Sequence, residues 1–300
     1  MTGSPSGNTK ALVTVVIGDD FTAMWEQVMS MTWRLYAEKH GYDIIVIDDF
    51  IDDSDRAKNR HINWQKCLIL EDERVCGYED VVWLDADIMI NYHTAPCIVE
   101  TNSSDKVGLV GNKESFYDSP VIMDNLMLRH LSLTKTTRTC RSMQELYVRA
   151  GLDDSVENAA NTGVIVLKPK MHTEVMRYVY DSFEENDFSM KEELPLSNHL
   201  YKNKLVNNLD KRFNWPWVYH IVESYPFLLL SEVNCDISIT GQCVNAAWSN
   251  SWFLHFTGDT LNGEQSLRDH SNLVIKSFVD LEAYTVFRQI LESKQSQGSG

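Results

Sequence analysis

Short, densely apolar runs along the chain end in acidic stops. Ala11 to Ile17 is apolar apart from Thr14 and runs into Gly18-Asp19-Asp20. "YDIIVIDD" repeats the pattern from Tyr42 to Asp49, and "VVWLDADIMI" from Val81 to Ile90. Such runs predict strands buried on both faces. Between them Met24, Trp25, Val28, Thr32, Leu35 and Tyr36 recur at helical spacing, and residues 62–73 suit a second helix. Strand, helix, strand, helix, strand predicts a parallel sheet with right-handed crossovers, hence an α/β fold. All three strands finish in aspartates, at 19/20, 48/49 and 85/87. Open α/β sheets bind ligands at that edge, so three acidic ends point to a shared site.

The second half is less regular. "DNLMLRHLSL" and "RSMQELYVRAGL" predict two helices within residues 111–160, an insertion over the site. Gly163 to Leu167 reads as a strand stopped by Pro169, and Val175, Met176, Val179, Tyr180 and Phe183 mark the helix after it. Residues 191–202 suggest another helix, 203–250 an irregular aromatic stretch, "SWFLHFTGD" a last strand, and 273–292 a C-terminal helix. No linker interrupts this, so a single domain is expected over 11–292, between flexible ends at 1–10 and 293–300.

Composition narrows the function classes. With 300 residues, 43% hydrophobic and 10% aromatic, the chain can bury a sizeable core. A net charge of −16, from 27 basic and 43 acidic residues, argues against nucleic acid or an anionic membrane as main partner. It suits binding of a divalent cation. No apolar run reaches the roughly 18 residues of a membrane span. The polar start "MTGSPSGNTK" has no signal-peptide pattern, and the six cysteines are scattered without a C-x-x-C pair. The expectation is a reduced, cytoplasmic chain, with a lumenal domain separated from an anchor as the alternative.

The candidate chemistry centres on Asp85-Ala86-Asp87. In a regular strand the two carboxylates would face opposite sides; at a strand end a bend can turn both toward one hard cation. The cation removes their repulsion and adds charge that can hold a diphosphate. D-x-D alone is common on solvated turns; its place after "VVWL" gives it weight. Haloacid-dehalogenase-like phosphatases carry D-x-D on the first strand, usually followed by Gly-Thr. Here it follows the third predicted strand and precedes Ile88-Met89.

Further motifs accompany it: "NTGVIVLKP" at 161–169, "EELPLSNHL" at 192–200 and "HFTG" at 255–258. In this order they resemble the retaining GT-A glycosyltransferases, the group that includes glycogenin and the enzymes of glycosyltransferase families 8 and 34, over roughly residues 11–260. The resemblance implies a Rossmann-like fold with a nucleotide-binding half, 11–110, and a sugar and acceptor half, 111–292. It implies Mn2+ or Mg2+ held by Asp85, Asp87 and His255. The partners it implies are a nucleotide-sugar donor, a UDP-hexose, and a glycan or other hydroxyl acceptor. Donor contacts would come from Ile17, Gly18, Asp48, Arg60, Lys66, Asp85, Ala86, Asn161, Thr162, Gly163 and Gly258. Glu192, Glu193 and Lys66 would be the catalytic set. A domain that binds nucleotide-sugar without turnover is the non-enzymatic alternative.

Two departures stand out. The group's acidic-Gln pair is here Glu192-Glu193, so a second carboxylate would lie under the sugar, to attack or stabilise the anomeric carbon. A solvated acid at a helix N-terminus is the plainer reading. The Lys that family 8 carries after H-F-x-G is missing, leaving Arg268 or Lys66 to meet the diphosphate. Lys66, in "NWQKCLIL", reads equally well as a surface residue, and Asp48 as a solvated strand end. Of Trp215, Trp217, Trp248 and Trp252, one or two at most are expected to stack on acceptor sugars; clustered tryptophan is usually core.

Overall fold

The computed structural model describes residues 7–112, 143–185, 191–229, 236–257 and 267–274. The predicted helix at 124–133 and nearly all of that at 273–292 lie outside these residues, as does Gly258.

Six strands form the central sheet: β1 (Lys10–Val15), β2 (Tyr42–Ile47), β3 (Asp80–Leu84), β5 (Val107–Leu109), β6 (Val164–Leu167) and β7 (Val206–Asn208), in the order β2-β1-β3-β6-β5-β7. Five run the same way; β6 is antiparallel to both neighbours. The mostly parallel central sheet expected of a GT-A fold is the one observed, with β6 the one reversed strand. Its reversal places the start of β6 against the end of β3, with Val164 opposite Leu84. A second sheet joins β4 (Ile88–Ile90), β8 (Trp215–Pro216) and β9 (Phe253–His255), in the order β4-β9-β8.

The central strands β1, β3 and β6 are mostly apolar because both faces are covered. Leu12, Val82, Leu84, Val164 and Val166 enter one core, with Trp33, Tyr36 and the second sheet. Their alternates Ala11, Val13, Val81, Trp83, Ile165 and Leu167 enter another, with Trp64, Leu68 and the helix Pro169–Ser182. Residues 62–71 form a tight 3-10 helix rather than an α-helix. Trp64 through Leu70 are all buried there, so no solvated face sets a 3.6-residue period.

The stretch expected to be irregular contains two helices, Trp217–Ser224 and Ile237–Asn250. The second buries Thr240, Cys243, Val244, Ala247 and Trp248, a helical stripe that its Gly and β-branched residues obscure. The Asp236 carboxylate caps it, accepting from the N–H groups of Ser238 and Ile239. Of the predicted insertion, Met143–Arg149 is helical and sets Tyr147 against Val156, Ala159 and Leu194. Among the described residues, Cys67, Cys76, Cys97 and Cys243 are free thiols, and no helix is long and apolar enough to cross a membrane.

Trp33, on the helix Ser30–His40, ties that helix to the second sheet by donating its indole N–H to the carbonyl of Ile88 at 2.7 Å, in the core. Trp33→Phe removes this bond and is expected to cost about 1–3 kcal/mol. A urea titration should show a lower midpoint at unchanged slope.

Candidate metal and donor site

Three chain segments meet at the end of β3. Asp85 N–H donates to Gly163 O at 2.8 Å, extending the β3–β6 ladder by one residue. Ile88 N–H closes onto Asp85 O at 3.1 Å and turns the chain into β4. That turn frees Asp85 and Asp87 from strand alternation. β9 then sets His255 opposite Ile88, and Phe256 N–H donates to Asp87 O at 3.0 Å. Ligand atoms of Asp85, Asp87 and His255 consequently lie within 4.8 Å of one another.

His255 Nε2 is 3.1 Å from Asp87 Oδ1 and 3.8 Å from Asp85 Oδ2. Asp87 Oδ1 and His255 Nε2 are both buried, yet no aligned hydrogen bond satisfies either. Burial disfavours both charges, but they support each other. Asp87 is held below the usual carboxylate range by His255 and Arg268, and His255 is raised by Asp87 and then Asp85. One imidazole and two carboxylates fit Mn2+ or Mg2+, with coordination positions left for phosphate oxygens. Gly163 makes room for the ring: a Cβ there would overlap His255 Cε1 and lie 2.7 Å from its Nδ1.

Lys66 is fully buried at this junction rather than on the surface. Its ammonium donates to Glu192 Oε1 at 2.7 Å, Thr162 O at 3.0 Å and Thr162 Oγ1 at 3.2 Å, and lies 3.1 Å from Asp85 Oδ1. Burial works against the charge, but Asp85 and Glu192 raise its pKa above the ordinary lysine value. Asp85 Oδ1 also accepts from the Trp83 indole at 2.8 Å, which leaves Oδ2 facing His255. Thr162 donates to Glu192 Oε1 at 3.0 Å, while Glu192 Oε2 is buried with no donor. Glu193, half-buried at the start of the helix Glu193–Lys202, accepts from Asn161 Nδ2 at 2.8 Å. Burial, then the Glu192 charge, pushes its carboxyl up to about 7.

The metal group opens on a cavity of about 510 Å³. Ile17, Phe21, Trp83, Asp85, Ala86 and Asp87 line one part of it, and His61, Asn63, Lys191, Thr257 and Arg268 another. Gly18, beside Ile17, has φ +101° and ψ 141°, a conformation open essentially to glycine alone. Arg268 reaches Asp87 Oδ2 at 3.4 Å, so it brings a cation to the cavity.

Other expected residues lie elsewhere. Arg60 is buried against Trp64 and Tyr180, donating to the carbonyls of Tyr180 and Phe183 and to Glu184; it closes a helix end. Asp48 is solvated 3.7 Å from Arg74 and does not line the cavity, so the acidic ends of β2 and β3 do not share a site. Trp215, Trp217 and Trp248 are buried in the core, and Trp252 is partly buried beneath the Arg212 guanidinium. Sequence reasoning missed Lys191 and Asn214. Lys191 was hidden as one charge in an acidic, charged stretch, and Asn214 lies in the segment expected to be irregular.

No family model and no curated protein matches the sequence. Solved structures do. A glycosyltransferase involved in glycosylation of the major capsid of PBCV-1 aligns with TM-score 0.51 and 13% identity, over 88% of this chain and 99% of its own. The bifunctional glycosyltransferase WbbM aligns with TM-score 0.53 and 13% identity, over 92% of this chain and 51% of its own. The fold is that of these glycosyltransferases. The GT-A architecture expected from the motifs is the one observed, with the D-x-D turn and His255 on converging strand ends.

Glu193 predicts a pH effect on stability. Its raised pKa favours the neutral form in the fold, so its contribution is full below the ordinary value of 4.5 and is lost as pH rises through about 7. Glu193→Gln should therefore stabilise the protein relative to wild type above pH 7 but not near pH 4.5, by about 1–2 kcal/mol after allowance for partial exposure. Chemical denaturation at both pH values, without added metal, measures it.

Proposed function

We propose that this chain is a divalent-metal-dependent glycosyltransferase. It moves a hexose from a nucleoside-diphosphate donor, UDP-linked, to a hydroxyl of a glycan or other acceptor, with retention of configuration. The observation that carries this reading is the facing pair Asp87 Oδ1 and His255 Nε2, buried and unsatisfied at the edge of a cavity of ligand size. Held by Asp85, Asp87 and His255, a divalent ion supplies charge neutralisation for a departing diphosphate.

The chain's own groups divide the remaining work. Arg268 and Lys191 face the same cavity and take the place of the Lys missing after H-F-x-G. Ile17, Gly18 and Ala86 border the space for the nucleoside. Glu192 Oε2, which lacks a donor, can accept a sugar hydroxyl, and Asn161 keeps one amide N–H beyond its bond to Glu193. Thr162 and Gly163 shape the floor beneath His255 and Lys66. Lys66, saturated by its own partners, is a positioning residue. Glu193 is the carboxylate for the anomeric carbon. Its attack would form a glycosyl ester as the bond to the diphosphate oxygen breaks; the acceptor oxygen would then displace the carboxylate, its proton passing to an oxygen of the released diphosphate. Two inversions give retention. A phosphatase needs no histidine beside its aspartates, and the first strand carries no D-x-D here.

Thermal unfolding with Mn2+ and a panel of UDP, GDP and CMP is the first test. At about a hundred times its dissociation constant, one nucleotide should add roughly 2.7 kcal/mol, only with metal, and not in Asp87→Ala. No shift with any nucleotide in folded protein overturns the reading; a shift without donor hydrolysis or transfer leaves a binding domain. Lys191→Ala should raise the donor KM by about tenfold, the loss of one charge-assisted contact, with a smaller change in kcat.

A further inference from the structure

The hydrogen bonds behind His255 have a fixed direction. Gly163 N–H can only donate, and it meets Asn161 Oδ1 at 3.0 Å, so the amide nitrogen of Asn161 points the other way, to Glu193 Oε2 at 2.8 Å. Asn161 also presents its main-chain carbonyl. Asn214 Nδ2 approaches both oxygens, at 3.1 Å to Asn161 O and 2.9 Å to Asn161 Oδ1. Two acceptors on one side force the Asn214 amide nitrogen there. Its oxygen must then face His255 Nδ1, 2.9 Å away. An oxygen acceptor at Nδ1 requires a ring proton on Nδ1; Asp87 favours a second proton on Nε2 while no cation is bound, and once that proton leaves, the neutral ring keeps the one on Nδ1 and turns a bare Nε2 toward Asp87 and Asp85.

We infer that Asn214 is the positioning residue that sets the tautomer and ring angle of the metal-binding histidine. The order of donors starts from one backbone N–H, that of Gly163, and passes through Asn161 to Asn214. Asn214 is 2% exposed and His255 1% exposed, so water does not substitute for either partner. Asn161 joins this chain to Glu193, so the metal ligand and the carboxylate assigned to the anomeric carbon are oriented by the same side chain. The role in metal binding rests on the glycosyltransferase reading; the assignment of the proton does not.

Two measurements separate them. In 15N NMR of unliganded wild-type protein, at a pH high enough for a neutral ring, His255 should carry its proton on Nδ1, with the signal assigned by its loss in His255→Gln. A proton on Nε2 overturns the inference, and this test needs no Asn214 variant to fold. In Asn214→Ala the tautomer should become mixed and Mn2+ affinity should fall about 10–100-fold, the usual effect of removing a partner behind a metal-bound histidine. Circular dichroism and the unfolding midpoint establish that the variant is folded. Unchanged Mn2+ affinity in folded Asn214→Ala also overturns the inference. If wild type holds the proton on Nδ1 yet binds no Mn2+, the metal reading fails and the tautomer assignment stands.

Discussion

The buried ammonium of Lys66 is the constraint on which the rest of the site is arranged. A lysine in the core is tolerated only if its charge is matched and its three protons are satisfied. Here Asp85, Glu192 and two oxygens of Thr162 meet that demand. Each comes from a different part of the chain: the turn after β3, the turn before β6 and the cap of the helix Glu193–Lys202. Satisfying one cation therefore locks three segments together, and those segments carry the D-x-D, the N-T-G and the acidic pair. Only loss of both carboxylates would leave the charge uncompensated, so two separate segments hold the ammonium in place. The same clamp occupies one oxygen of Asp85 and leaves the other for the metal group.

Much of this arrangement was legible in the sequence, for reasons that differ by element. β1, β2 and β3 announce themselves because a strand covered on both faces has no polar positions, and their acidic ends mark where cover stops. The candidate metal ligands Asp85, Asp87 and His255, which the structure brings together, were picked out by short motifs in order. What the sequence could not convey was direction and depth. The reversal of β6 is invisible in its residues, since Val164 to Leu167 would read the same running either way; yet it is what sets Gly163 against Asp85. Lys66 reads as a surface residue until the tight helix buries all its sides. Asp48 and Arg60 have the residue types of ligand contacts, but a solvated ion pair and a closed helix end account for them. Asn214 was out of reach because its meaning comes from two neighbours, Asn161 and His255, that are distant in sequence.

The chain's charge takes on sense at the same place. A protein of net charge −16 repels a nucleoside diphosphate at long range, and its local field must reverse that. Screening confines the repulsion to about 8 Å at physiological salt, so a few groups at the cavity decide the outcome. Arg268 and Lys191 stand at its lining, while the Lys66 charge is already spent on Asp85 and Glu192. Without a divalent ion Arg268 lies 3.4 Å from Asp87 Oδ2, so part of its charge is spent on that carboxylate. With one bound, the aspartates are neutralised instead, and Arg268 and Lys191 are left for the diphosphate. In this reading metal and nucleotide bind with positive coupling, by charge alone and with no movement of the backbone.

The two adjacent glutamates show how one helix start can serve opposite needs. Glu192 turns inward onto the buried Lys66 ammonium, 2.7 Å from its Oε1. Glu193 accepts from the Asn161 amide, and burial, then the Glu192 charge beside it, push its carboxyl up to about 7. The resulting strain on the ionised form is greatest before substrate enters. A developing positive charge at an anomeric carbon would relieve it, so the same proximity that destabilises the free protein near neutral pH favours a cationic transition state over the ground state. A glutamine at that position would remove the strain and the stabilisation together. On the proposed glycosyltransferase reading, a carboxylate at Glu193 would set electrostatic tension, rather than hydrogen bonding alone, against the sugar.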